Sequence, residues 1–167
     1  ALIYLTTVAA ETTFDTITEI EQLGAYAVVC VLNVTTDNLL AVNAQMRATE
    51  NKATVAEVQA TVTAANAALA KIEAHAEGDD ALSINDYEAV GVLNVTDDNL
   101  LAVNAQVVRA GELAADSVAE IAGLVDAANN ALTYIISDIT PLTSIETIDA
   151  ATQIEAYSAA GIQGVNE

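Results

Sequence analysis

Tryptophan is absent from this sequence, and cysteine, histidine and proline occur once each. A lone thiol, Cys30, cannot close an internal disulfide, and together with a lone imidazole, His75, it cannot assemble a His/Cys zinc set. Bases are nearly as scarce: Arg47, Lys52, Lys71 and Arg109 face 24 acids, for a net charge of −20. Four bases cannot neutralise a phosphate backbone, so nucleic acid is excluded as a partner, and an anionic membrane surface would repel the chain. No apolar run reaches the roughly 20 residues of a bilayer span, so no membrane insertion is expected. No basic segment followed by an apolar stretch opens the sequence, so no targeting segment is expected either. The GxSxG, P-loop, HExxH and DxDxDG motifs are all missing. No catalytic, cofactor-binding or metal-ligating residue is therefore expected, no cofactor, and no enzyme.

Hydrophobic residues, by contrast, make up 53% of the chain, too many for a disordered acidic tail. With aromatics at 4%, the apolar share rests on Ala, Val, Leu and Ile, which favours helices packed closely through small side chains. Cys30, between Val29 and Val31, reads in that setting as a small buried hydrophobe.

The chain repeats itself. Residues 31–45 read VLNVTTDNLLAVNAQ and residues 92–106 read VLNVTDDNLLAVNAQ, an offset of 61 with one substitution. Downstream, TVAEVQATVTAANAALAKI (54–72) aligns with SVAEIAGLVDAANNALTYI (117–135) at an offset of 63. ALIYL at 1–5 aligns with ALTYI at 131–135, and Tyr157, Gly161, Ile162 and Val165 repeat the spacing of Tyr87, Gly91, Val92 and Val95. The predicted division is 1–10, the end of a preceding unit; 11–77, unit 1; 78–140, unit 2; and 141–167, the first helix of a third unit. Such phasing reads as a window on a longer array. The connection from the third helix to the next tyrosine spans 21 residues (Leu5 to Tyr26), then 15 (Ile72 to Tyr87), then 22 (Ile135 to Tyr157). That alternation suggests a two-unit period of about 130 residues.

Each unit reads as three helices, giving an all-α fold of tandem three-helix bundles. The first helix runs to Tyr26-Ala27-Val28, Tyr87 to Val90, or Tyr157 to Ala160. It stops at Gly91 or Gly161 as a left-handed residue past a helix end; Cys30 holds that place in unit 1. A short apolar link follows, in which Val92 and Val95 tuck under the bundle. Thr35, Thr96 and Asn166 stand where an N-cap belongs, with Asp37 and Asp97-Asp98 in the first turn, so the middle helices are predicted over about 36–49 and 97–110. The third helix opens with a capping box, Thr54-x-x-Glu57 or Ser117-x-x-Glu120. Its apolar stripe is Val55, Val58, Val62, Ala65, Leu69 and Ile72, matched by Val118, Ile121, Leu124, Val125, Ala128, Leu132 and Ile135. Gly78 and Pro141 punctuate the exits.

Isolated polar residues have structural readings. His75, in AKIEAHAEG, suits a helix C-terminus. Asp79-Asp80 and Asp97-Asp98 lack the alternating oxygen ligands of a calcium loop and read as solvated acids. Asn33-Val34-Thr35 and Asn94-Val95-Thr96 fit the N-glycosylation pattern, but a capping threonine after a turn asparagine accounts for both. Asn43 and Asn104 are predicted to hydrogen-bond between helices, and Tyr4, Tyr26, Tyr87, Tyr134 and Tyr157 to anchor cores at helix ends.

The order Tyr-x-x-x-Gly-Val, then Val-Thr-x-x-Asn-Leu-x-x-Val-Asn-Ala, then Thr/Ser-Val-Ala-Glu resembles tandem helical repeats of very large bacterial surface and adhesin proteins. More distantly it is similar to the GA (albumin-binding) three-helix modules of such proteins. The resemblance implies three-helix units and an extracellular, cell-surface setting in bacteria, and carries over no binding residue. The expected function is a non-enzymatic spacer, stalk or filament wall, whose partners are neighbouring repeats or like chains. The alternative is a module that binds a host or environmental protein through the middle helix, for which Leu39 or Leu100 would form an exposed patch. A third idea is calcium stiffening of the links by acids.

Overall fold

The computed structural model describes residues 17–48, 52, 54–76, 81–111, 114–139 and 149–165. Among the described residues the secondary structure is all helical. In chain order the helices are α1 (Glu19–Val28), α2 (Leu39–Ala48), α3 (Val55–Ala76), α4 (Ile84–Ala89), α5 (Leu100–Ala110), α6 (Val118–Tyr134) and α7 (Ala150–Ala159). A π-helical turn, Ile135–Ile139, prolongs α6.

The starts of these helices follow from their caps. The backbone N–H and hydroxyl of Thr54 both donate to Glu57 Oε2 (2.8 and 2.9 Å), and the Glu57 N–H donates back to the Thr54 hydroxyl (3.3 Å). At Ser117 the hydroxyl donates to Glu120 Oε2 (3.0 Å) and accepts from the Glu120 N–H (3.3 Å), so the predicted box forms in full at Thr54 and as a side-chain cap at Ser117. The first helices carry caps of their own. Thr18 pairs with Glu21, Ser83 with Asp86, and the carboxylate of Asp149 accepts from the Thr152 N–H at 2.9 Å. Hydrogen bonding from Thr18 holds the Glu21 carboxyl below the usual range, and Thr152 does the same for Asp149.

The first helices end identically. Cys30, Gly91 and Gly161 take φ of 60°, 79° and 75°. The next N–H reaches back to the tyrosine carbonyl: Val31 to Tyr26 (3.1 Å), Val92 to Tyr87 (3.0 Å) and Ile162 to Tyr157 (2.9 Å). This is the left-handed closure that satisfies the last carbonyls of a helix. Three residues on, the chain turns left-handed again at Asn33 (63°), Asn94 (67°) and Gly164 (79°).

The middle helices begin later than predicted. Residues 36–38 and 97–99 form a turn, and the helices start at Leu39 and Leu100. Thr35 and Thr96 are not their N-caps; Asn99 holds that position in unit 2. Asp37, Asp97 and Asp98 are exposed in these turns rather than in the first helical turn.

The core is one continuous apolar cluster from Tyr26 to Ala128, crossing from unit 1 into unit 2. Val58, Val62, Ala65, Leu69 and Ile72 of α3 are buried, as are Val118, Ile121, Val125 and Ala128 of α6; Leu124, Leu132 and Ile135 are half-buried. Val92 and Val95 are buried under unit 2 as expected. Two positions depart from the prediction. Val55, the counterpart of buried Val118, is exposed; the Val118 N–H instead lies against the Asp37 carbonyl of the preceding unit (3.4 Å). Cys30 is exposed rather than buried, because the left-handed residue past a helix end turns its side chain away from the bundle. Tyr4, Gly78, Asp79, Asp80, Pro141 and Asn166 lie outside the described residues.

Candidate functional site

Two polar constellations recur inside the units, and both are built from asparagine. The hydroxyl of Tyr26 at the end of α1 donates to Asn43 Oδ1 in α2 (3.0 Å), and Tyr87 donates to Asn104 Oδ1 (2.6 Å). The amide of Asn43 donates onward to Gln22 Oε1 (2.7 Å) and that of Asn104 to the Leu82 carbonyl (3.0 Å). Both asparagines are buried and satisfied, which bears out their predicted interhelical role. Burial drives the phenol ionisation of Tyr26 and Tyr87 far above its ordinary range; Arg47 opposes this weakly at Tyr26, and Asp86 adds to it at Tyr87. Tyr134 and Tyr157 are only half-buried.

The second constellation escaped the sequence reading. Asn38 Oδ1 accepts from the Thr35 N–H (2.8 Å), while its amide donates to the Asn33 carbonyl (2.8 Å) and to Asn66 Oδ1 in α3 (2.7 Å). Asn99 repeats every bond, with Thr96, Asn94 and Asn129 at 2.7, 2.7 and 2.6 Å. One buried amide thus closes the link turn and ties the start of the middle helix to the third. The sequence signal was present in the matched Asp-Asn-Leu-Leu of both units, but the distant partners were not visible in it.

A third recurrence joins one unit to the next. Gly91 lies so close to α2 that a Cβ on it would sit 2.8 Å from Ala44 Cβ and 3.4 Å from the Leu40 carbonyl. Gly161 meets α5 in the same way, with Ala105 Cβ at 2.7 Å and the Leu101 carbonyl at 3.3 Å. Beside each glycine a glutamine closes the junction: Gln45 Nε2 donates to the Ala89 carbonyl (2.8 Å), and Gln106 Nε2 to the Ala159 carbonyl (2.5 Å). Unit 1 and unit 2 are further tied by Lys71 Nζ on α3, which donates to Asp86 Oδ1 on α4 (2.5 Å). Burial pushes the Asp86 carboxyl up, but the bonds from Lys71 and Ser83 outweigh it and hold it below its ordinary value.

No protein-family model, curated protein or solved structure matches this chain.

The other singled-out residues do not converge on chemistry. Among the described residues no three His, Cys, Asp or Glu side chains gather to hold a metal. His75 is buried in the last turn of α3 and lines a cleft of about 590 Å3 with Asn104, Arg109, Ile154, Ile162 and Val165. Asn33 and Asn94 are exposed, and their left-handed backbone accounts for asparagine there, since Gly164 serves the third copy. Leu39 is buried and Leu100 half-buried, so neither forms the exposed patch that the ligand-binding alternative requires. Leu40 and Leu101, one place further on, are exposed. No helix among the described residues is long and apolar enough to cross a membrane.

Proposed function

We propose that this chain is a non-enzymatic structural segment, a tandem array of three-helix units serving as spacer, stalk or filament wall in an extracellular bacterial surface protein. The observation that carries this reading is the junction itself. The glycine-on-alanine contact and the glutamine-to-carbonyl bond occur at both described junctions, between different pairs of units. A catalytic site needs to occur once, whereas a stacking contact is useful only when repeated. Continuity of the apolar core across the first junction supports a mechanically coupled column rather than beads on a string. The excess of acids fits a surface that stays dissolved and repels its own copies.

Stretching a single molecule between its ends tests the mechanical half of the proposal. A coupled column unfolds units 1 and 2 in one event, whereas independent beads give separate events at lower force. Protease shaving of intact source cells tests the location: release of peptides from this segment supports a surface array, and protection until lysis removes it.

Protein recognition is kept as the second reading because Leu40 and Leu101 repeat as exposed side chains beside the junctions, with Leu32 and Leu93 exposed in the links. Capture of a specific protein from host or environmental extracts, lost in Leu40→Ser/Leu101→Ser, would move the assignment there.

A further inference from the structure

The two seated units share a sequence feature that unit 1 lacks. Counting from the first-helix tyrosine, the second and fourth following residues are Ala89 and Gly91 in unit 2, and Ala159 and Gly161 in the third unit. These are the residues that touch the preceding unit, one through its carbonyl and one through its bare Cα. In unit 1 the same two places hold Val28 and Cys30, both larger and both exposed. Cys30 nevertheless adopts the same left-handed backbone, at φ 60°. The turn therefore tolerates a side chain; the seat on a preceding helix does not. A Cβ within 2.8 Å of an alanine methyl group lies well inside van der Waals contact, and neither atom can swing away, because each is fixed to its backbone.

We infer that the left-handed position after the first helix selects which units can be seated on the middle helix of another unit, and that Cys30 withdraws unit 1 from that arrangement. The partner surface it selects for is one helical turn bearing a leucine carbonyl, an alanine and a glutamine in sequence, as at Leu40, Ala44 and Gln45 and again at Leu101, Ala105 and Gln106. Unit 1 offers such a turn to its successor but cannot be received by one. Rigid coupling then has a direction and a starting point. A unit with Gly at this place continues a stiff stretch, and a unit with a side chain there opens a new one, leaving a joint on its upstream side. The inference rests on the stacked-array reading above and adds the rule for where stacking is interrupted.

The test moves the residue of unit 1 into unit 2, by Gly91→Cys in a Cys30→Ser background, and follows thiol reactivity with a maleimide alongside thermal unfolding. The introduced thiol is expected to react at the rate of Cys30 in the unaltered chain, with one unfolding transition split into two. Adding Ala44→Gly removes the opposing methyl group and is expected to restore protection and the single transition, although the left-handed strain at position 91 is unchanged. A protected thiol with a single transition overturns the inference, because the seat would then accept a Cβ. Loss of unit 2 that Ala44→Gly does not repair overturns it too, because glycine would then serve only the turn. Either result leaves the surface-array reading standing, since that reading is tested on source cells.

Discussion

The Tyr87 hydroxyl donates to Asn104 Oδ1 at 2.6 Å, and the same bond joins Tyr26 to Asn43 seventeen residues along the chain in unit 1. Phenylalanine keeps the ring packing but leaves the asparagine oxygen buried without this donor. Tyr87→Phe is expected to destabilise by about 1–3 kcal/mol, the range for stranding a buried acceptor. Tyr157→Phe, at a half-buried ring, should change stability by less than about 0.5 kcal/mol. Urea unfolding followed by circular dichroism measures both, and an equally small effect at Tyr87 would show that its hydroxyl bond adds nothing to stability.

The same two phenols set the alkaline limit of the fold. Their ionisation is raised in the folded state above an unfolded value of about 10, so the folded chain holds protons that the unfolded chain releases. The stability they contribute is complete below pH about 10 and is lost as pH rises beyond it. Ultraviolet titration should show Tyr26 and Tyr87 ionising only as helicity collapses. Ionisation of these two phenols with the fold intact would contradict their burial.

Asn99 joins the link turn of unit 2 to its third helix. Asn99→Ala removes an acceptor for the Thr96 N–H and donors to Asn94 and Asn129, and is expected to destabilise by about 3 kcal/mol at roughly 1 kcal/mol per bond. Asn99→Asp keeps the acceptor for Thr96 but sets a carboxylate against Asn129 Oδ1, so it should not rescue. Chemical denaturation of the pair decides this; an aspartate as stable as the wild type would show that only the turn-closing bond counts.

How much of this was legible beforehand differs by range. The caps at Thr54 and Ser117, the stripes of α3 and α6 apart from Val55, and the left-handed helix ends depend on residues within a turn or two, and they appear where the spacing placed them. Tyr26–Asn43 was half-legible, because matched residues in two copies announce a role without naming the partner. The start of the middle helix was misplaced by three residues: Asn38 closes a turn onto the Thr35 N–H and binds Asn66 in another helix, and residues 36–38 form that turn instead of helix. Cys30 was misread because its apolar neighbours suggested burial, whereas backbone handedness decided it. The unit junction was invisible, because Gly91 and Ala44 belong to different units and nothing local marks their contact. The caps at Thr18 and Ser83 could have been found, since Thr-x-x-Glu and Ser-x-x-Asp precede both helices.

The link turns make a backbone prediction. Asn94 sits at φ 67°, where Gly164 serves the third unit, so Asn94→Gly should be neutral within about 0.5 kcal/mol. Asn94→Ala forces a side chain less suited to left-handed backbone and should destabilise by about 1 kcal/mol. Thermal midpoints rank the three residues; alanine matching glycine would mean that the turn relaxes out of the left-handed region.

Asp86 links acid stability to the first junction, because it accepts both from Ser83 within its own helix cap and from Lys71 of the preceding unit. Its carboxyl is held below 3.8 in the folded state, so its contribution is present above the unfolded value and is lost as pH falls through the folded one. Lys71 is half exposed, so the ion pair alone is worth at most about 1 kcal/mol, and salt should weaken it. Lys71→Met is therefore expected to lower the urea midpoint slightly at pH 7 and to abolish its salt dependence at this site, while leaving the Ser83 cap in place. Asp86→Asn removes both partners' charge-assisted bonds and should flatten the acid side of the stability profile more than Lys71→Met does. The two profiles separate cap from junction: if they coincide, the acid sensitivity belongs to the bond between units, and if only Asp86→Asn flattens, it belongs to the helix cap.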